Sequence, residues 1–381
     1  MKHTRKGLVL LIMLCLVVVG AFRPSAEHKT AQAQDLTPVR LQLKWVTQAQ
    51  FAGYYAALNQ GYYEEAGLDV EIIPGGPDIS PQQVLAAGGA EFAIDWAGSA
   101  LASREQIVNG GGSGPVNVAQ IFQRSGMREI AFKDSGIETI EDLEGKNVGV
   151  WFAGNELPLF AALVANDLDP EDPNDVNVVA QAFDMVAFIN GELDAAAAMT
   201  YNELAQVLEF VGEDGTFPVY TLDDLNIIDL NEVGTAMLED GIYANEDWLA
   251  DEANQATTIQ FLVASFRGWI YCRDNPSDCV DYVLAEGSAL GVGHQTWQMS
   301  EINKLIWPSE LGVGQLDPEL WTRTADIALT YAVIEEAADE AAARTDLAAA
   351  ALASLQESFP DLDVNGTDWV APEVEITPNG E

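Results

Sequence analysis

The stretch Leu41–Ile73, LQLKWVTQAQFAGYYAALNQGYYEEAGLDVEII, constrains the fold of this chain more than any other. It reads as strand, aromatic-rich turn, helix, glycine-ended turn and second strand, which makes one βαβ unit. Such a unit places its first turn at the carboxyl edge of a sheet, where small molecules bind in open α/β folds. Trp45, Gln48, Gln50, Phe51, Tyr54 and Tyr55 crowd that turn. The plainer alternative is that Gly53, Tyr54 and Tyr55 begin a helix facing the core.

The N-terminus carries Lys2, Arg5 and Lys6, then an apolar run Gly7–Phe22, then Ala31-Gln32-Ala33. Basic start, apolar run and small-x-small site together predict a secretory signal peptide over residues 1–33. The run is short for a bilayer span of about 20 residues, so a retained anchor is the weaker reading. Lipidation at Cys15 is the alternative to cleavage near Ala33. Loss of residues 1–33 removes five basic residues and one acidic one, taking the formal charge from −43 to −47. So acidic a chain repels nucleic acid and anionic lipid, and it disfavours a polyanionic ligand. Two cysteines remain, Cys272 and Cys279, in YCRDNPSDCV, where Asp274-Asn275-Pro276 supplies a turn. In an oxidising compartment they are candidates for a local disulfide. No histidine lies near them, so a zinc reading is poor.

About 350 mature residues exceed one ordinary core and predict two lobes. Strands are expected at Val39–Trp45, Val70–Ile73, Glu91–Asp95, Val116–Gln123, Glu129–Phe132, Asn147–Trp151, Val176–Ala180, Ala195–Met199 and Val233–Leu238. Helical segments alternate with them, which argues an α/β fold with largely parallel sheets. A long alanine-rich helix is expected over Leu329–Leu355.

No catalytic signature is present: the chain has no GxSxG, no HExxH, no phosphate-binding loop and no cysteine–histidine pairing. Neither a catalytic residue, a metal nor a cofactor is expected. Binding signals recur instead at strand ends. Pro74-Gly75-Gly76-Pro77-Asp78-Ile79 is a tight turn whose backbone can approach a ligand, or an ordinary turn. Trp96 stands at a strand end with Ser99 as a helix cap, a place for ring stacking or for packing. Trp151-Phe152-Ala153-Gly154-Asn155-Glu156 links a strand to a helix with Pro158 in its first turn. That helix start would suit an anion, but Glu156 already brings a negative charge to it. Tyr201 is a second stacking platform, and Glu203 is a helix-start cap or a ligand acceptor. His294 has no predicted partner. Trp269, Tyr271, Trp297 and Trp307 fit a core.

The opening unit, with PGGPDI (74–79), VAQIFQRSG (118–126), KDSGI (133–137), DLEGKNVGVW (142–151), GNE (154–156), AMTYNE (198–203), GTAMLEDGI (234–242) and GWIYCRDNP (268–276), resembles the solute-binding proteins of ABC importers. The likeness is to the thiamine-precursor, riboflavin and sulfonate-binding branch, which is related to the fungal thiamine-pyrimidine synthase. It implies a two-lobed periplasmic-binding-protein fold with two crossings between lobes and a ligand cleft between them. The crossings are placed near Ala131–Ser135 and Asp229–Gly234. Lobe one is then residues 36–131 and 234–317, and lobe two is 132–233. A helical segment, 318–358, and a polar tail, 359–381, complete the chain.

Within the resemblance, Phe51 stands where thiamine-pyrimidine proteins carry histidine, and the iron motif of the synthase is missing, which argues against an enzyme. The strand-end turns hold almost no Lys or Arg, which argues against sulfonate or nitrate. What remains is a cleft walled by Trp45, Phe51, Tyr54, Trp96, Trp151 and Tyr201, with Gln48, Gln50, Asp78, Asn155, Glu156 and Glu203 as polar partners. It suits a flat neutral heteroaromatic, riboflavin foremost, delivered to an ABC permease at the outer face of the cell membrane. A thiamine pyrimidine precursor is the alternative ligand, and an enzyme acting on a heterocycle is the alternative class.

Overall fold

The computed structural model describes residues 36–152, 154–287 and 289–381. The signal peptide and Cys15 lie outside the described residues. Among the described residues ten strands are present: β1 Thr37–Gln42, β2 Leu68–Ile73, β3 Phe92–Asp95, β4 Pro115–Gln120, β5 Met127–Phe132, β6 Asn147–Val150, β7 Asn177–Ala180, β8 Ala195–Met199, β9 Leu225–Asp229 and β10 Gly241–Asn245. The helices that matter below are α1 Ala52–Asn59, α2 Pro81–Ala86, α3 Ala97–Asn109, α4 Leu157–Ala165, α5 Glu203–Leu208, α6 Glu252–Asp274, α7 Pro276–Ala285, α8 Val292–Ile306, α9 Pro318–Thr330 and α10 Thr345–Ser358.

The strands form two five-stranded sheets of matching order, β2-β1-β3-β10-β4 and β7-β6-β8-β5-β9. In the first, β1 pairs parallel with β2 and β3, while β10 runs antiparallel between β3 and β4. In the second, β6 pairs parallel with β7 and β8, while β5 runs antiparallel between β8 and β9. The sheets are therefore mixed rather than largely parallel. Each antiparallel strand is the one that enters its sheet directly after the chain arrives from the other sheet, and this fixes the crossings. The first runs through Ile121–Gly126. The expected crossing at Ala131–Ser135 is corrected, because β5 already belongs to the second sheet and all but its last residue or two would have to change lobes. The chain returns between Asp229 and Gly241.

The strand expected over Val233–Leu238 does not form. Gly234 adopts a left-handed conformation with φ 91°, the amides of Thr235 and Ala236 turn back to the Leu230 carbonyl, and the Leu238 amide donates to Thr324 Oγ1. The regular strands lie on either side, as β9 and β10.

The single helix expected over Leu329–Leu355 is two. α9 ends at Thr330, Ala332 is left-handed at φ 58°, and the chain runs irregularly to α10. This segment is pinned from outside: Arg104 pairs with Asp339, Glu105 accepts the amides of Glu335 and Glu336, and the Arg344 amide reaches the Asn117 carbonyl. Tertiary partners override the helical preference of alanine here.

The largest core cluster spans both sheets' helices. Its tightest point is the crossing of α1 and α6. A Cβ on Gly53 would stand 2.2 Å from the Trp269 ring, and one on Gly268 would stand 2.0 Å from the Gly53 carbonyl. Cys272 and Cys279, joined by a disulfide with Cα atoms 5.5 Å apart, tie the end of α6 to α7.

Candidate ligand-binding site

The carboxyl ends of β1 and β3 in one sheet and of β6 and β8 in the other face a common cavity of about 520 Å³. Strand order reverses at β1 and at β6, and such a switch point leaves a crevice because neighbouring connections depart to opposite faces. Its wall draws Lys44, Trp45, Gln48 and Gln50 from behind β1, the 76–81 turn from behind β2, and Asp95, Trp96 and Ser99 from behind β3. Trp151, Phe152 and Asn155 come from behind β6, Phe183 from behind β7, and Met199, Tyr201, Asn202 and Glu203 from behind β8. The 74–79 turn needs glycine: a Cβ on Gly75 would meet the Leu43 carbonyl at 2.3 Å, and its amide donates to the Trp45 carbonyl at 2.8 Å.

Of the residues expected at the site, Trp45, Gln48, Gln50, Asp78, Trp96, Trp151, Asn155, Tyr201 and Glu203 line this cavity. Three do not reach it. Phe51 is fully buried in the core beneath the first turn. Tyr54 faces α6, edge-on to Trp269 with centroids 5.5 Å apart. Glu156 turns back to accept the Gly154 amide at 2.8 Å. Phe51, Tyr54 and Tyr55, at the start of α1, are all buried away from the cavity, and the sequence does not say which aromatics of the first turn face which way.

The aromatic wall is held by polar bonds at its back. Trp96 donates Nε1 to Asp240 Oδ1 at 2.9 Å, and Trp151 donates Nε1 to the Ala182 carbonyl at 3.1 Å. Phe183 lies between two indoles, 4.5 Å from Trp45 in a tilted contact and 6.2 Å from Trp151 in near-parallel planes. Gln48 donates to Gln50, and Gln50 donates to both oxygens of Asp240 at 3.0 and 3.1 Å. Asp240 thus orients a glutamine pair and an indole without facing the ligand space.

The electrostatics follow from who occupies each charge. Lys44, the cation of the wall, pairs with Asp95 at 2.8 Å and lies over the Trp96 ring at 4.9 Å. Asp95 also accepts the Trp96 amide and the Ser99 hydroxyl, so it neutralises the start of α3 from within. Glu203 lies at the start of α5 and accepts from the Met199 amide and Asn202 Nδ2. Burial pushes the Glu203 carboxyl up to about 7, and burial likewise raises Asp240 to about 7. Tyr201 is held well above its usual range, first by burial and then by Asp240, Glu239 and Glu203, so its phenol stays neutral. Two helix ends that would each attract an anion are already supplied with carboxylates, and the one lysine is spent on an ion pair. The cavity offers aromatic faces and hydrogen-bond acceptors with no unpaired cation.

Lys44, Asp95, Asn202, Phe183 and Asp240 are the members that sequence reasoning missed or left unassigned. A lysine two residues beyond an apolar strand and the acidic pair Glu239-Asp240 ahead of β10 were the available signals. Asn202 was hidden because its partner, His294, lies 92 positions away. His294, expected to stand alone, has two partners, Asn202 and Glu209. Among the described residues no cluster of metal-ligating side chains occurs, and no helix is long and apolar enough to cross a membrane.

Comparison with known proteins matches residues 48–279 to a family model described as NMT1/THI5 like. Riboflavin-binding protein RibY of Chloroflexus aurantiacus is 26% identical over 335 residues, 84% of this chain and 89% of that protein. The formylaminopyrimidine-binding protein of Halalkalibacterium halodurans is 23% identical over 275 residues, 71% of this chain and 78% of that one. Among solved structures, the periplasmic aliphatic sulphonate binding protein SsuA from Escherichia coli superposes with a TM-score of 0.57 at 15% identity, covering 79% of this chain and 90% of that one. The periplasmic nitrate-binding protein NrtA from Synechocystis gives 0.58 at 12% identity, covering 88% and 93%. The fold is the two-lobed periplasmic-binding-protein fold.

Proposed function

The chain belongs to the NMT1/THI5 like family, and from that premise we propose that it is the extracytoplasmic solute-binding component of an ABC importer, capturing riboflavin and passing it to a membrane permease. In this reading the first lobe is built on β1–β4 and β10, the second on β5–β9, and the ligand is held between them without turnover.

The observation that carries the reading is the aromatic, acceptor-rich wall, whose one cation, Lys44, is already paired with Asp95. A cavity of about 520 Å³ lies within the range of sites that enclose cofactor-sized molecules. Trp45, Trp96, Trp151 and Phe183 provide faces for a fused ring. Glu203 accepts the imide N–H, while Gln48, Gln50 and Asn155 serve the ribityl hydroxyls. The name of the RibY relative supports the same ligand. Sulfonate and nitrate, bound by the structural neighbours according to their names, find the helix ends here supplied with carboxylates.

A thiamine pyrimidine precursor is the second reading. It is supported by the formylaminopyrimidine-binding relative and by Glu203, a buried acceptor suited to an aminopyrimidine edge.

Titrating the purified protein with riboflavin and, separately, with an aminomethylpyrimidine while following tryptophan fluorescence tests the choice. Saturable quenching by riboflavin alone is expected. A response to the pyrimidine alone replaces the ligand, and a response to neither removes both readings.

A further inference from the structure

His294 is a buried imidazole with a different partner at each ring nitrogen. It lies on α8, is 1% exposed, and joins Asn202, just before α5, to Glu209, just after it. Its Nδ1 is 2.8 Å from Glu209 Oε2, and its Nε2 is 2.9 Å from Asn202 Oδ1. Asn202 Nδ2 is in turn 2.6 Å from Glu203 Oε1, and Glu203 lines the cavity. The four side chains therefore form an unbroken line from the cavity wall to the far end of α5.

That line crosses the seam between the two halves of the molecule. α8 is fastened to the first half by Gln295, whose Oε1 accepts the Ala49 amide at 2.7 Å. It is fastened to the second half by His294 and by Trp297, which donates Nε1 to the Thr200 carbonyl at 3.0 Å. The charged groups facing His294 are Glu209 from the end of α5, Asp184 across a small cavity, and the terminal Glu381, whose backbone packs on Gly291 and Gly293. On its own helix the next acid, Glu301, is paired with Lys304.

We propose that Glu203, Asn202, His294 and Glu209 share one mobile proton, so that a ligand donating a hydrogen bond to Glu203 strengthens the contact that joins the two lobes. This rests on the reading of the cavity as a site for a neutral N–H donor. Two arrangements satisfy the same heavy-atom positions. In one, with the Asn202 amide turned over, protonated Glu203 donates to Asn202 Oδ1, Asn202 Nδ2–H donates to His294 Nε2, and His294 Nδ1–H donates to the Glu209 carboxylate. In the other, the Asn202 amide stands with Nδ2 toward Glu203 and Oδ1 toward His294: Glu203 is a carboxylate accepting from Nδ2–H, and His294 donates from both nitrogens. The proton leaves the Glu203 oxygen and resides on His294 Nε2, with no proton gained or lost by the protein. A ligand N–H needs an acceptor, so it selects the second arrangement, in which an imidazolium faces Glu209 across the seam at the C-terminal end of α5, where a cation is favoured.

The test is nitrogen NMR of the imidazole in the ¹⁵N-labelled full chain. The chain holds three histidines, and the His294 signals are the ones lost in His294→Gln. In wild type, saturating riboflavin is expected to move Nε2 from the acceptor to the protonated position. In Glu203→Gln the Met199 amide holds the new carbonyl oxygen, the new amide donates to Asn202, and Asn202 must donate to His294. Nε2 is then expected to stay an acceptor under every condition in which Nε2 of wild type carries a proton. Asn202→Ala, which cuts the line, is expected to make His294 indifferent to the residue at 203. Identical Nε2 behaviour in wild type and Glu203→Gln overturns the proposal whether or not riboflavin binds. Failure of riboflavin to quench tryptophan fluorescence overturns the ligand alone.

Discussion

Trp96 is fixed at both ends of its side chain, by the indole N–H to Asp240 and by Lys44 over its ring, so its face toward the cavity is set before any ligand arrives. Such preorganisation leaves little rotamer entropy to lose on binding. Phe51, six positions from Trp45, is as aromatic and wholly buried. The pair gives a contrast that separates site from core. Trp96→Ala is expected to weaken riboflavin binding by roughly two- to tenfold, the equivalent of about 0.5–1.5 kcal/mol of stacking, and to cost roughly 3–5 kcal/mol of stability as well, because Trp96 is itself buried and bonded to Asp240. Phe51→Leu is expected to leave the dissociation constant within about twofold of wild type and to lower stability by roughly 1 kcal/mol. Fluorescence titration and urea unfolding of both variants read this directly, and the reverse pattern would exchange their roles. The sequence shows that aromatics gather at the first turn, because composition is visible there. It does not show which face each takes, because that depends on where α6 and α8 pack, more than 200 residues later. Glu156 and Glu203 illustrate the same limit: both start helices, yet one bonds to its own turn and the other lines the wall.

At the scale of elements, the βαβ opening was legible because alternation, an aromatic helix start and Gly67 all agree locally. The Leu329–Leu355 region was not, since local propensity points to one helix while Arg104, Glu105 and Asn117 hold a broken one. The antiparallel strands β5 and β10 were equally hidden: their direction is set by the crossings, and no residue pattern records it. The crossing of α1 and α6 is the most constrained contact between helices. Gly53→Ala would drive a methyl into the Trp269 ring and is expected to cost at least about 2 kcal/mol in urea unfolding, with ligand affinity per folded molecule retained. A loss under about 0.5 kcal/mol would mean that the helices part easily. The Cys272–Cys279 link closes a short loop between α6 and α7. Replacing both cysteines by serine is expected to lower stability by roughly 2–3 kcal/mol through the greater freedom of the unfolded chain, measured against wild type in the same buffer without reductant.

For the whole molecule, the unusual feature is where its acids are. Most lie outside, giving a formal charge of −43, but Glu203, Glu239 and Asp240 are buried where the crossings and the cavity meet. Burial raises all three to about 7, against ordinary values near 4, and Glu129 is likewise held well above the ordinary range by burial alone. The sign of the consequence is fixed by proton counting. Between about pH 4.5 and about pH 7 the folded protein retains protons that the unfolded chain has released, so stability falls as pH rises through that window and levels off above it. Asp142, Asp172, Asp214 and Asp224 act oppositely, since bonds from nearby backbone or side-chain donors lower them, and what they contribute is lost only as pH drops below about 4. Mutual repulsion of the surface acids adds to the fall on the alkaline side and is screened by salt. The protein is therefore expected to be most stable near pH 5 and at least about 2 kcal/mol less stable at pH 8, with part of the difference surviving in about 1 M sodium chloride because buried groups are poorly screened. Urea unfolding at both pH values, with and without salt, decides it. A difference abolished by salt would assign the whole effect to the surface, and equal stability at both pH values would mean that the buried carboxyls ionise freely and that their hydrogen bonds, from Ser125, Gly126, Gln50 and Trp96, fully offset their burial.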